Sequence, residues 1–548
     1  MGYISSMSLS WNLLSHQLVS MGNSNCLKAS LTVSLCFHTK TKLSLFPLPL
    51  SKLRISSLSS FITTKTTNPN GNHTSKEQTL LSLFKQCSTI KHVKQIHAHL
   101  VHTGLDQNLY LVGKIIVFCA VSDHGSMDYA VSVFENTENP DGFLWNTMIR
   151  GFGRTNQVYK VFDYFKKMQE KGEKADNFTL SFLLKVSGQL GSVVLGKQMH
   201  CCTLKHGLET HVFVRNTLIH MYGMLGITEI AHQLFDEIPK PELVAWNTII
   251  DCHVHCGNHR KALELFSRML RSGVEPDEAT LVVTLAACSA SGALEFGRWV
   301  HSFICRTTLV DIVSVSNALI DMYAKCGEVK EAYDIFNNMI KRNIVSWNSM
   351  ILGLAIHGHV DEALVLFSKM LEEKLERPND VTFLGVLCAC GHGGMVEEGR
   401  RYFNSMRKDY HTQPTIKHYG CMVDVLGRAG LVEEAYQLIR DMPMECNAIV
   451  WRTLLAACRL HGNVELGEQV RRHLLDLEPD HSSDYVLLAN MYASAGQWDD
   501  TARVRKSMRE RGVQKPQPGN SLFGIHPRLP EPTNALAEIG EIRTAYTA

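Results

Sequence analysis

The chain has 548 residues, 45% of them apolar and 20% charged, a balance that excludes wholesale disorder. No run approaches the roughly 18 consecutive apolar residues of a membrane-spanning helix, so no membrane association is expected. The formal charge of +2 divides unevenly: residues 1–76 carry seven cations and no carboxylate, leaving 48 basic against 53 acidic residues beyond them, a charge of −5, which excludes a globally basic, non-specific nucleic-acid binder.

Residues 1–76 also hold 24 Ser and Thr. Such a stretch buries little core, and its acid-free, hydroxyl-rich character matches an organellar transit peptide, expected to be disordered. A secretory signal would need a compact apolar run near a basic start, and serines break every such run here. One arginine among many serines leans toward chloroplast over mitochondrion.

Beyond residue 76 the chain repeats itself. Trp145-Asn146-Thr147, Trp246-Asn247-Thr248 and Trp347-Asn348-Ser349 are each 101 residues apart. His200 and His301 keep that interval, as do Asn216 and Asn317 with the similar runs that follow them. The unit divides again into segments of 35, 35 and 31 residues. In 243–277, Val244 to about Cys256 has helical spacing and Gly257 interrupts. Ala262, Leu265, Phe266 and Met269 then line one face of a second helix. Gly273 is a helix stop and Pro276 prevents continuation. The second-helix face recurs as Val161, Phe165 and Met168 and as Ala363, Phe367 and Met370. Lys374 replaces the glycine stop of Gly172 and Gly273, so that helix is expected to be less well terminated. The predicted fold is all-α: a superhelical solenoid of stacked helix–turn–helix hairpins, each too small to bury its apolar face alone.

Specific motifs resemble the plant organellar pentatricopeptide-repeat proteins of the PLS class. Phe143-Leu-Trp-Asn-Thr-Met-Ile-Arg-Gly151 is similar to a P-type opening. Asn317-Ala-Leu-Ile-Asp-Met-Tyr-Ala-Lys-Cys-Gly327 is similar to an S-type signature, and Gly196-Lys-Gln-Met-His200 to an L-type second helix. His418 to Gly430 resembles the terminal S repeat. Trp451 to Cys458 and Tyr485 to Ala493 resemble the two E repeats. The resemblance implies a transit peptide over 1–76, a repeat array over 77–447, E-type repeats over 448–517 and an irregular tail over 518–548.

In that family RNA lies along the array, about one base per repeat, and a planar amide can bond a base edge while an apolar neighbour covers the ring. The resemblance implies readout by residue 5 and the last residue of a repeat. The P repeats then contribute Asn146/Asp176, Asn247/Asp277 and Asn348/Asn379. The S repeats contribute Asn216/Glu242 and Asn317/Asn343. Sandwiching residues would be Phe143, Val244, Val345 and Phe213. The family rule assigns uracil to Asn with Asp, and a pyrimidine, cytosine preferred, to Asn with Asn. The L repeats place Ser181, Val282 and Leu384 at position 5, and Gly113 stands there in the first S repeat. An alternative for each asparagine is that it caps its helix. The tryptophans and His97, His200 and His301 read as packing or polar contacts between helices.

No enzyme emerges. A deaminase module of the kind many relatives carry needs His-x-Glu and Cys-x-x-Cys around zinc, and neither pattern occurs. No Gly-rich phosphate loop or nucleophile elbow is present. The sixteen cysteines are too dispersed for a zinc site or a disulfide scaffold and read as reduced, small apolar residues. No cofactor or metal is expected. The resemblance implies a monomeric adaptor for single-stranded organellar RNA, with a deaminase-bearing relative recruited in trans for C-to-U editing and multiple organellar RNA editing factors gripping its L repeats. Two other readings stand beside it: an RNA stability, processing or splicing factor, and a helical-repeat scaffold for proteins.

Overall fold

The computed structural model describes residues 73–513 apart from 156 and 375, so most of the expected transit segment and the tail 518–548 lie outside the described residues. Those described form 26 α-helices and one short 3-10 turn, with no strand among them. The chain divides into two compact units, Met1–Ile340 and Lys341–Ala548.

One hairpin explains the rest. Glu242 precedes helix Leu243–His255, and Gly257 ends it with φ 75°, a left-handed turn that suits a residue lacking Cβ. Helix His259–Arg271 then turns Ala262, Leu265, Phe266 and Met269 inward, all buried, each large side chain contributing about 1.5–3 kcal/mol. Gly273, with φ 76°, closes it before Pro276, and Asp277 caps the next helix. The matching faces Val161, Phe165, Met168 and Ala363, Phe367, Met370 are buried in the same way. Lys374 takes the left-handed turn that glycine makes elsewhere, with φ 52°, at a cost of about 1–2 kcal/mol for a residue with a Cβ.

Within each unit the first helices of successive hairpins pack side by side, and each second helix lies against its own first helix. In the first unit that layer runs through Leu109–Val121, Gly142–Phe152, Asn177–Gln189, Val212–Met224, Leu243–His255, Glu278–Ser291 and Val313–Lys325. In the second it runs through Ile344–Ile356, Asp380–Gly393, Ile416–Arg428, Ala448–His461 and Ser482–Ser494. Small residues permit the close approach of these helices. A Cβ on Gly223 would meet Cys252 Sγ at 2.7 Å and Cys252 Cα at 3.2 Å.

The tryptophans are core, as read: Trp145, Trp246 and Trp347 are buried. Trp145 meets Phe134 edge-on with centroids 4.7 Å apart, and Trp246 meets Phe235 at the same 4.7 Å, an arrangement the ring quadrupoles favour. The histidines bridge helices. His97, His200 and His301 bond through Nδ1 to the hydroxyls of Tyr129, Tyr222 and Tyr323 at 2.7, 2.8 and 2.9 Å. Cys119, Cys252, Cys288, Cys390 and Cys458 fill the core, whereas Cys201 and Cys305 are exposed.

Candidate nucleic-acid interface

The site is built from helix starts. Asp176 precedes helix Asn177–Gln189, and its Oδ1 accepts the Thr179 N–H at 2.7 Å while Thr179 Oγ1 accepts the Asp176 N–H at 3.2 Å. This reciprocal cap satisfies two helix-end donors. The same carboxylate reaches back to the preceding first helix, where Asn146 Nδ2 donates to both of its oxygens at 3.1 Å. Thr179 Oγ1 donates to Asn146 Oδ1 at 2.6 Å, which closes a three-residue network.

The network recurs twice. Asn247 Nδ2 donates to Asp277 Oδ1 at 3.0 Å and Thr280 Oγ1 donates to Asn247 Oδ1 at 2.5 Å. Asn348 Nδ2 donates to Asn379 Oδ1 at 3.0 Å and Thr382 Oγ1 donates to Asn348 Oδ1 at 2.6 Å. Three expected pairs are therefore in contact. The capping alternative fails for Asn146, Asn247 and Asn348, each of which is the fifth residue of its helix. It holds instead for their partners Asp176, Asp277 and Asn379 and for Asn343, whose Oδ1 accepts the Ser346 N–H at 3.1 Å.

The amides sit deeper than an open groove would place them. Asn146 is 9% exposed and Asn348 6%, because the threonine and the cap enclose each one; Asn247 is half-buried. Burial raises the Asp277 carboxyl, but the Thr280 N–H and hydroxyl and the Asn247 amide outweigh it and hold the group below the usual carboxylate range. It stays ionised, an acceptor only, well below neutral pH.

The S repeats differ. Asn216 is half-buried, and its buried Oδ1 has no hydrogen-bond partner; Glu242 makes no side-chain cap bond. Asn317 is buried in helix Val313–Lys325. Ser181, at the fifth position of an L repeat, has a buried hydroxyl with no partner.

Beside each amide, one turn earlier, a side chain stands out. Phe143 is 59% and Val244 60% exposed, and Val345 and Phe213 are exposed too. Sequence reasoning missed three further members of this row, Tyr110, Phe178 and Ile449, all exposed second residues of first helices. Phe178 and Phe213, from consecutive repeats, have ring centroids 6.2 Å apart, and Lys114 holds its ammonium 5.0 Å over the Tyr110 ring. Carrying the second-position alignment through every repeat would have found them.

Also missed was Arg452, at the fifth position of helix Ala448–His461. Its Nε donates to Asp484 Oδ1 at 2.7 Å, and its Nη2 donates to Asp484 Oδ2 at 3.0 Å and to Glu478 Oε2 at 2.7 Å. Burial works against the guanidinium charge, but the two carboxylates outweigh it and raise its pKa. The slot that holds an amide elsewhere is here filled by an internal ion pair.

Desolvation lowers the pKa values of His97, His200, His301 and His418. His253 falls to about 4 through burial, with His232 and Lys261 adding to it. The unfolded chain protonates these rings near the ordinary value of about 6.5, so between that pH and the lower folded values it binds protons that the folded chain does not. Stability therefore falls on acidification through this window. The thermal midpoint is expected to drop by several degrees between about pH 7 and pH 5; a flat profile would contradict it.

Family models agree with this architecture. The PPR repeat family matches residues 140–187, 241–290 and 342–392. The PPR repeat matches 314–344, 381–411 and 417–446, and the E motif matches 461–523. A pentatricopeptide repeat-containing protein of Arabidopsis thaliana, named as chloroplastic/mitochondrial, is 41% identical over 473 residues, covering 83% of this chain and 73% of its own length. A second from the same plant is 39% identical over 464 residues, covering 84% and 76%. The crystal structure of the pentatricopeptide repeat protein PPR10 in complex with an 18-nt psaJ RNA element matches with a TM-score of 0.60 at 17% identity, over 78% of this chain and 65% of that one. This chain belongs to the pentatricopeptide repeat family and carries an E motif.

Proposed function

We propose that the protein is a sequence-specific adaptor for single-stranded RNA in a plant organelle, selecting transcripts for C-to-U editing by a deaminase recruited in trans. The observation that carries this reading is the threefold recurrence of one polar network, Asn146/Asp176, Asn247/Asp277 and Asn348/Asn379, each beside an exposed apolar residue. A scaffold for proteins has no use for the same amide at the same helix position. Phe143, Val244, Val345 and Phe213 would cover base faces, and Asn216/Glu242 would add a further reader. Each well-matched reader is worth about 1–3 kcal/mol of discrimination.

The E motif favours editing over simple protection or processing, and the array over 77–447 would place the RNA while 448–517 engages the deaminase. The RNA in the PPR10 complex supports the binding mode, and the name of the Arabidopsis relative supports an organellar address. The role proposed for the readout network is recognition of bases, with the chemistry left to the recruited deaminase. Binding to the acidic array would rest on local contacts and not on net charge.

Asn247→Thr with Asp277 kept is expected to move the preference at that repeat from uracil toward guanine, by about tenfold in relative affinity, measured against single-base RNA variants. An unchanged preference would refute the pairing. Sequencing organellar transcripts from plants lacking the protein separates the roles. Loss of one or a few conversions supports editing, whereas intact conversions with altered transcript ends indicate processing.

A further inference from the structure

An asparagine side chain can point either its carbonyl or its NH2 toward a ligand, and the two ends offer opposite hydrogen bonds. A base reader needs that choice made before the base arrives. In three repeats the surrounding groups make it.

The choice begins at the backbone. The Thr382 N–H can only donate, and it takes Asn379 Oδ1 at 3.0 Å. That fixes the capping amide with its oxygen inward. The oxygen can only accept, so Asn348 must turn Nδ2 toward it, at 3.0 Å. Asn348 Oδ1 is thereby left facing Thr382 Oγ1 at 2.6 Å. The hydroxyl has one proton. Its lone pair accepts the Asn379 N–H at 3.1 Å, and its proton is directed at Asn348 Oδ1, 2.6 Å away, over the cap oxygen at 3.0 Å, which already holds two N–H donors. Asp277 and Asp176 impose the same order on Asn247 and Asn146, with Thr280 and Thr179 closing it at 2.5 and 2.6 Å. Thr179, Thr280 and Thr382 are all buried. What remains of Asn247 and Asn348 for a base is the second Nδ2 proton, and the same holds for Asn146 with one N–H shared between the two Asp176 oxygens; that proton matches a carbonyl oxygen of uracil or cytosine and is mismatched to an exocyclic amino group.

The chain contains its own contrast. Opposite Asn216 the third residue of the next first helix is Ala245, which has no hydroxyl, and Glu242 makes no cap bond. Asn216 Oδ1 is buried without a partner, so neither end of that amide is held. Opposite Arg452 the corresponding third residue is Asp484, in direct contact with it. Fifth and next-third residues thus face each other even where the chemistry has changed.

We infer that Thr179, Thr280 and Thr382 are positioning residues: the backbone N–H of each holds the cap oxygen that turns the reading amide, its hydroxyl holds the amide's other end, and the two together set the base selectivity of the repeat, while the repeat of Asn216 reads permissively. This rests on the RNA-binding reading above. The test uses the full chain, a randomised single-stranded RNA library and single-base variants of the sequence it selects. Thr280→Val keeps the shape and removes the hydroxyl. Discrimination at the base opposite Asn247 is expected to fall about tenfold, the worth of one hydrogen bond, with the other positions unaffected and Thr280→Ser restoring it. In the unaltered protein, substitution of the base opposite Asn216 should cost about tenfold less affinity than substitution opposite Asn247. A Thr280→Val variant that weakens all RNAs equally, or equal discrimination opposite Asn216 and Asn247, overturns the inference while leaving RNA binding intact. Failure of the unaltered protein to select any RNA overturns both.

Discussion

Replacing Arg452 with alanine is expected to destabilise the unit Lys341–Ala548 by about 3–5 kcal/mol. Asp484 is 3% exposed, and Arg452 is what neutralises it. Without the guanidinium the carboxylate keeps His481, 3.6 Å away, and the bond from Arg452 to Glu478 is lost as well. An unpaired buried charge costs more than the pair contributed when intact. Replacing both Arg452 and Asp484 with apolar residues, as Arg452→Met with Asp484→Leu, should therefore recover most of the loss. Denaturant unfolding of the single and double variants checks this. A single-variant loss below about 1 kcal/mol would mean that solvent screens the pair as it does on a surface.

Trp246→Ala should cost a similar amount, about 3–5 kcal/mol, in the unit Met1–Ile340. The indole is buried, lies edge-on to Phe235 and carries the Arg268 guanidinium 5.6 Å from its centroid. It joins one hairpin to the one before it, so its removal opens a cavity between hairpins, not within one. Stacked repeats couple mainly to their neighbours. The loss should therefore appear first as faster amide hydrogen exchange in helices Thr228–Asp236, Leu243–His255 and His259–Arg271. Uniform loss of protection along the unit would indicate a more cooperative fold. Fast exchange confined to Leu243–His255 and His259–Arg271 would show that Trp246 serves its own hairpin only.

Periodicity made the hairpins and most of their core legible. Apolar residues at helical spacing, such as Ala262, Phe266 and Met269, have one way to leave water together, and glycine followed by proline ends the helix whatever surrounds it. The pairs Asn146/Asp176, Asn247/Asp277 and Asn348/Asn379 came from the family resemblance and are in contact in the structure. Lys374 shows the limit of the glycine stop: a side chain with a Cβ stands in the left-handed turn where the matching repeats have glycine, and bears the strain.

From the sequence alone came the hairpin repeat and its period, the inward tryptophans and the recurrence of an amide at one helical position, since each depends on local spacing. The tertiary structure decided what those amides face. Thr179, Thr280 and Thr382 lie more than thirty residues along the chain from their asparagines, and only the packing of one first helix against the next brings hydroxyl, cap and amide together. The same packing turned the fifth position of Ala448–His461 into a closed ion pair. A hydrogen bond across helices depends on ångström-scale distance and direction, which a repeat period does not specify.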